Sequence, residues 1–536
     1  MGAAGLIVAL ALVAGWRVGT ELPDDGAASA PEQPEQGGVL RVALERPEHL
    51  DPALARTVPV SDPVVADLLF DGLTAPGERP GEAEPALADS WRASDDRRSW
   101  QFFLRPGARF ADGDEITAED VVATLNRIAR KGSGSQVSTL LAPVQGYRAV
   151  AVDGSAKELV GVSAPETDVV RIDLDEPVAA LPALLSAPAF GVVPSATGPV
   201  GEDTMFDQAP TGSGPFALAD GEQLSGEDDD RVRLVRSQGG RTLLAGVELQ
   251  LHDDAAAAAE SFDGGHADWS LLPDEALEDA AGPSRAERVP LPATLFYGLD
   301  LTHPELADAR LREAIVRAVD REAIARDVYG ESLEPVTGIV PEAAGGVGDP
   351  CDGRCDFDPA KAEALVKDAY PMGNVPEVSV EVDDGKEQLE VATAIVAALR
   401  EVGIPAVERP HPLPEFSTFA SAGKGREVVR LGWIGAYASP EAFLQPLFAT
   451  GSPDNVMGVS DPAVDEALDE AATEVDALAR GKLVADAERA ALGHHAVVPI
   501  GQFVTHVAVA DQVRDLRVRP GGTFDATRVW LAVDER

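Results

Sequence analysis

The apolar residues of this chain change their spacing repeatedly along its length. In "VLRVALE" (39–45), "RVRLVRS" (231–237), "GVELQLH" (246–252), "VSVEV" (378–382) and "REVVRLGW" (426–433) they alternate or cluster over a few residues, as strands require. Elsewhere they recur at helical spacing. In "ITAEDVVATLNRIARKG", Val121, Val122, Leu125 and Ile128 form one face, Thr117 and Asp120 make a capping-box pattern, and Gly132 ends the helix. "ADARLREAIVRAVDREAIARDVYG" reads as one long helix with Leu311, Ile315, Val319, Ala323 and Ile324 on its apolar face and Gly330 as its stop. "FDPAKAEALVKDA", "LEVATAIVAALREVG" and "DPAVDEALDEAATEVDALARGKLVADAERAAL" add further helices. No unit repeats. Interleaved strands and helices without a period predict an α/β or α+β chain.

Charge narrows the choice of partners. Among 536 residues, 91 acidic side chains face 44 basic ones, a formal net charge of −47. Such a field repels phosphate backbones and anionic membrane surfaces, so a nucleic-acid partner is not expected. It keeps an exposed protein soluble, and it attracts cations. The run "GLIVALALVAGW" is shorter than a bilayer span and suits a signal-peptide core, and nothing after residue 17 spans a membrane. Residues 1–19 therefore read as a signal peptide or an N-terminal membrane anchor. "TELPDDGAASAPEQPEQGG", within 20–37, reads as a disordered linker.

Two cysteines, Cys351 and Cys355 in "DPCDGRCDFDP", are too few for a zinc or iron–sulfur site. They can close a small disulfide, as suits an exported chain, or stay as buried thiols. The aspartates around them miss the spacing of a calcium loop. Adjacent His494 and His495 diverge from one another, so no metal is expected there. No Gly-x-Ser-x-Gly elbow offers a nucleophile, and no cofactor motif is present, so an enzyme is not expected.

Several segments carry a resemblance in collinear order. "LLFDGLT" with "PALADSWRASDDRRSWQFFLRPGARFADGDEITAEDVVATLNRI", then "GSGPFAL", "FDGGHADWSLLP", "ARLREAIVRAVDREAIARDVYG" and "LGWIGAYASP", are similar to the signature segments of the family 5 solute-binding proteins. These are the extracytoplasmic receptors of peptide, dipeptide and nickel ABC importers. The resemblance implies an α/β, two-lobed periplasmic-binding-protein fold with an extra subdomain and a hinge. Lobe I would comprise 38–60, 186–290 and 501–536, with the extra subdomain at 61–185 and lobe II at 291–500. It further implies an exported monomer, free in the extracytoplasmic space or tethered to the membrane's outer face. Such a chain captures a small organic solute or peptide and hands it to ABC permease subunits. A receptor of the same fold that signals to a membrane sensor is the alternative.

The same resemblance indicates ligand-binding residues. In peptide-binding members, the stretch matching "GWIGAYASP" reads Gly-Trp-x-x-Asp-Tyr-x-Asp-Pro, and its first Asp holds the peptide's amino group. Here Gly432, Trp433 and Tyr437 match, whereas Ala436 and Ser439 replace the two carboxylates. Losing a charge-assisted bond of roughly 1.5–3 kcal/mol weakens amine binding about tenfold or more. Trp433 and Tyr437 are then free to stack on an uncharged ligand, with Trp433 as hinge core the plainer alternative. Glu45, Arg46 and His49, after the first strand, are implied to face the cleft, or else are solvated surface charges.

Overall fold

The computed structural model describes residues 34, 36–56, 61–224, 230–273, 276, 284–346, 348–422, 427–519 and 521–532. The leader expected at 1–19 and nearly all of the linker expected at 20–37 lie outside the described residues.

Strand β1 (Val39–Glu45) begins the fold, with Leu40, Val42 and Leu44 buried. The loop after it is tied down by a buried ion pair. Asp51 there accepts from Arg127 Nη1 at 2.9 Å, and Arg127 belongs to the helix Ala118–Ala129. A subdomain is built around that helix. The hairpin of β2 (Thr74–Pro76) and β3 (Ala83–Pro85) precedes a sheet of β4 (Ala88–Ala93), β5 (Ser99–Leu104), β6 (Val162–Glu166) and β7 (Val169–Asp173), in the order β4-β5-β7-β6. Val121, Leu125 and Ile128 meet Trp100, Phe102, Val170 and Ile172 in one core. The helix starts as its sequence indicates: one Asp120 oxygen accepts from the Thr117 N–H at 2.9 Å and from its hydroxyl at 2.8 Å.

Lobe I resumes with β8 (Phe216–Leu218), β9 (Arg231–Arg236), β10 (Gly246–His252) and β11 (Trp269–Leu272). β1 pairs in parallel with both β10 and β11, which fills both of its edges, and its two faces pack into separate clusters, Leu40, Val42 and Leu44 in one and Ala43 in the other. The turn before β8 requires glycine, because a Cβ on Gly212 would stand 2.1 Å from the Leu69 carbonyl oxygen.

Strand β12 (Ser284–Leu299) leaves this lobe for the next. Val289, Leu291 and Ala293 lie in the lobe I core, and Leu295, Phe296, Tyr297 and Leu299 in that of lobe II. Lobe II contains β13 (Leu333–Pro335), β14 (Val378–Asp383), β15 (Ala406–His411) and β16 (Val428–Ile434), flanked by helices that include Lys386–Glu401 and Ala477–Leu492. Strand β17 (Val497–Ala510) returns antiparallel to β12. Its Val497, Val498 and Ile500 sit in the second core and its Val507 and Val509 in the first. One eleven-stranded sheet thus threads both lobes, in the order β15-β14-β16-β12-β17-β11-β1-β10-β9-β8 with β13 also on β17. The β12–β17 register shifts between Pro290 and Thr294 and again after Leu295. Prolines 290 and 292 lack the N–H a ladder needs, so the pairing loosens where the chain changes lobe.

One helix departs from its sequence pattern. The long helix expected through 307–330 is two helices, Ala309–Ala318 and Arg321–Ile324, the second running on into a wider turn over Ala325–Tyr329. Val319 is extended, and Asp320 caps the second helix by accepting from the Ala323 N–H at 2.9 Å. The break lets buried Arg321 reach the Pro499 carbonyl at 3.1 Å and the carbonyl of Cys355. Cys355 is disulfide-bonded to Cys351, with Cα atoms 5.6 Å apart.

The subdomain and lobe II touch through main-chain groups. The Gly81 N–H, at the tip of the β2–β3 hairpin, donates to the Ala438 carbonyl at 2.6 Å, and Arg480 Nη2 donates to the Gly81 carbonyl at 2.5 Å. Further along, the Ala179 N–H donates to the Ala472 carbonyl at 2.8 Å. Arg480 is buried and paired to Glu441 at 2.6 Å. Arg480→Gln leaves Glu441 uncompensated and frees the hairpin tip. It should lower stability by about 3–5 kcal/mol and enlarge the radius of gyration in X-ray scattering. An unchanged melt with a superimposable scattering curve would show that this contact does not hold the lobes.

Candidate ligand-binding cleft

Strand β16 sets the geometry of the cleft. Ile434, Trp433 and Gly432 pair with Ala293, Thr294 and Leu295 of β12, where β12 passes from one core to the other. The chain then turns sharply. The Gly435 N–H donates to the Pro292 carbonyl at 2.7 Å, and a Cβ on Gly435 would stand 2.6 Å from the Phe443 ring. Alternation along the strand sends successive side chains to opposite faces. Trp433 packs against the lobe II core and its Nε1 donates to the Ala442 carbonyl at 2.7 Å. Ala436 and Tyr437, past the turn, pack against the subdomain core. The segment therefore bridges the two bodies whose approach closes the cleft.

Two cavities adjoin it, and a third shares with them the wall Ala187–Pro188. The innermost, about 70 Å³, is bounded by Pro63, Pro292, Gly435–Ala438 and the hairpin tip. A second, about 220 Å³, is lined by Arg56, Gln136, Val137, Ile434 and Ala436. The third, about 290 Å³, is charged and contains Asp67, Asp71, Arg105 and Arg519.

The residues singled out in the sequence are distributed unevenly over this arrangement. Ala436 and Tyr437 line the innermost cavity, whereas Trp433 and Gly432 line none of the three. Burial raises the Tyr437 hydroxyl's pKa, with Glu441 adding to the rise, so the ring offers a neutral hydroxyl to the cleft. Glu45, Arg46 and His49 also line none of the cavities. His49 Nδ1 lies 2.7 Å from Asp207, which also accepts the N–H groups of Leu50 and Asp51, each at 2.9 Å. Arg46 reaches Asp230 at 3.9 Å. Ile434, 53% exposed, is the cleft residue that the sequence reading missed; its position opposite Trp433 on an alternating strand was the available signal.

Side chains with metal-binding potential lie elsewhere. His494 Nε2 is 2.7 Å from Asp461, and His495 turns away with a positive φ of 51°. Among the described residues, His303, Glu305 and Glu427 bring ligand atoms within 4.8 Å of one another, on lobe II.

The charged cavity holds two half-buried ion pairs. Arg105 meets Asp71 at 3.1 Å, and Arg519 meets Asp67 at 3.5 Å. Burial pushes the Asp67 carboxyl up to about 6, although Arg519 and the Thr523 hydroxyl pull it back. Between pH 4 and 6 the folded chain keeps a proton on Asp67 that the unfolded chain has released, so this group's contribution to stability falls as pH rises through that window. Asp67→Asn removes that dependence. Relative to the parent, the variant should gain up to about 3 kcal/mol between pH 4 and pH 7, read as a growing difference in melting temperature. A constant difference across that range would refute the assignment.

Comparison with known proteins agrees with this architecture. The model of the bacterial extracellular solute-binding proteins, family 5, middle part, matches residues 82–455. The periplasmic murein peptide-binding protein MppA of Escherichia coli (strain K12) is 26% identical over 490 residues, covering 88% of each chain. The dipeptide-binding protein DppE of Bacillus subtilis (strain 168) is 24% identical over 482 residues, covering 85% of each. The solved unliganded open form of MppA superposes with a TM-score of 0.77 at 23% identity, over 93% of this chain and 97% of that one, which establishes the two-lobed fold. With its collinear motifs, its hinged pair of lobes and a family model matching well over half its length, the chain belongs to the family 5 bacterial extracellular solute-binding proteins.

Proposed function

We propose that the chain is the substrate-binding component of an ABC importer, capturing a small organic solute between its lobes outside the cytoplasmic membrane. The observation that carries this reading is the placement of "GAYA" (435–438). It lies at the point where β12 changes core, it lines the innermost cavity, and it is sealed by the Gly81 tip from the opposite body. A ligand seated there favours the closed arrangement by its contacts to both bodies, and closure presents a new outer surface to a permease. The chain acts as a monomer and performs no covalent chemistry. Its lobe boundaries fall where core membership changes along β12 and β17.

The names of MppA and DppE point to peptide cargo. For this chain a peptide remains one member of a wider ligand class, because Ala436 offers no carboxylate to an amino terminus. Calorimetry against a peptide and metabolite panel, paired with uptake in a deletion strain, tests the proposal. A bound solute whose uptake falls on deletion supports import. Unchanged uptake of every bound solute would instead indicate a sensing receptor. Ala436→Asp restores the anion and should tighten binding of amino-terminated peptides about tenfold or more; no gain in titration would mean that the cleft does not accept a peptide backbone in that register.

A further inference from the structure

In a chain with twice as many acidic as basic residues, the charged cavity beside the cleft gathers four arginines. Two of them are engaged: Arg105 is held by Asp71 and the Ala86 carbonyl, each at 3.1 Å, and Arg519 by Asp67. The other two have spare capacity. Arg241 makes no ion pair or hydrogen bond among the described residues. Arg528 approaches only Asp525, at 3.9 Å, and that carboxylate is already shared with Arg519 at 3.9 Å and with the Thr527 N–H and hydroxyl at 2.9 and 2.6 Å. Burial also raises the carboxyl groups of Asp67 and Asp71, which disfavours negative charge in the cavity, while guanidinium groups stay protonated. Among the described residues Glu84 is the cavity carboxylate without a cationic partner, and it also borders the separate groove beside Trp91.

Among the described residues that line the innermost cavity, no carboxylate is free to hold an amine. Ser439 stands where a second carboxylate would, and its hydroxyl donates to Glu441, which Arg480 neutralises. Glu82, at the hairpin tip, is paired with Arg79 at 2.5 Å. The charged cavity and the innermost cavity beneath Tyr437 are adjacent, with Pro76, Ser186, Ala187 and Pro188 in the lining of both.

We propose that this site selects carboxylates with an apolar body and no free amine, seating the acid against Arg241 and Arg528 and the body along Ala187–Pro188 toward Ala436 and Tyr437. A planar guanidinium suits a carboxylate better than a point charge does, because it offers two parallel N–H donors. The proposal rests on the solute-binding reading above and names the ligand class of that same cleft.

Titration calorimetry of the full chain against N-acetyl tripeptides, each as the free acid and as the C-terminal amide, together with the same tripeptides unblocked as amides, tests it. The acids should bind, and their amides should bind about tenfold or more weakly. The double variant R241Q/R528Q should erase that difference at an essentially unchanged melting temperature, since both side chains are exposed and the one ion pair lost, Arg528 with Asp525 at 3.9 Å, lies at the surface. If unblocked amides bind as tightly as the acids and the double variant loses nothing, the carboxylate assignment fails while the solute-binding reading stands. If no member of the panel binds and scattering shows no closure, both fail.

Discussion

The pairing of β12 with β17 is the constraint on which the rest of this structure depends. Each strand contributes to the cores of both lobes, so the sheet is continuous through a chain that must also bend between two bodies. These requirements conflict, and the sequence "VPLPATLF" resolves them. Prolines 290 and 292 interrupt the ladder over a few residues only, and their carbonyls, released from strand pairing, accept the N–H groups of Gly521 and Gly435. The loosened step in the sheet is thus the same place that fixes the start of the binding segment. A bend and a recognition element share one short stretch of backbone.

Arginine recurs as a mortar in a strongly acidic chain. Arg127 clamps the loop after β1 through Asp51, Arg321 joins the broken helix to β17 and to the disulfide turn, and Arg480 supports the loop facing the hairpin tip. In each case the forked guanidinium spans groups far apart in sequence, and carbonyl oxygens or a carboxylate replace the water lost on burial.

Much of the fold is legible because local signals agree with the tertiary arrangement. "VLRVALE" becomes a strand buried on both faces, and the Thr117–Asp120 pair starts the subdomain helix as its spacing indicates. The break at Val319–Asp320 is not legible, since the apolar period runs through it unchanged and only the distant carbonyls of Cys355 and Pro499 give Arg321 its reason to turn. The cleft is half legible. Ala436 and Tyr437 line a cavity beside the hairpin tip, but Trp433 spends its N–H on Ala442, an interaction set by the turn at Gly435. The arginine-lined cavity is invisible in the chain, because Arg105, Arg241 and Arg519 come from three separate stretches brought together only by the return of the C-terminal segment.

The bonds joining Gly81 to Ala438 and Ala179 to Ala472 run between peptide groups, not side chains. Peptide groups carry no net charge and are present whatever residue occupies the position. This part of the contact is therefore indifferent to ionic strength and to the chemistry of the chamber the bodies enclose, and the Arg480–Glu441 pair behind the hairpin tip is the charged part. A lineage can refit the interior for new cargo while its clasp stays as it was.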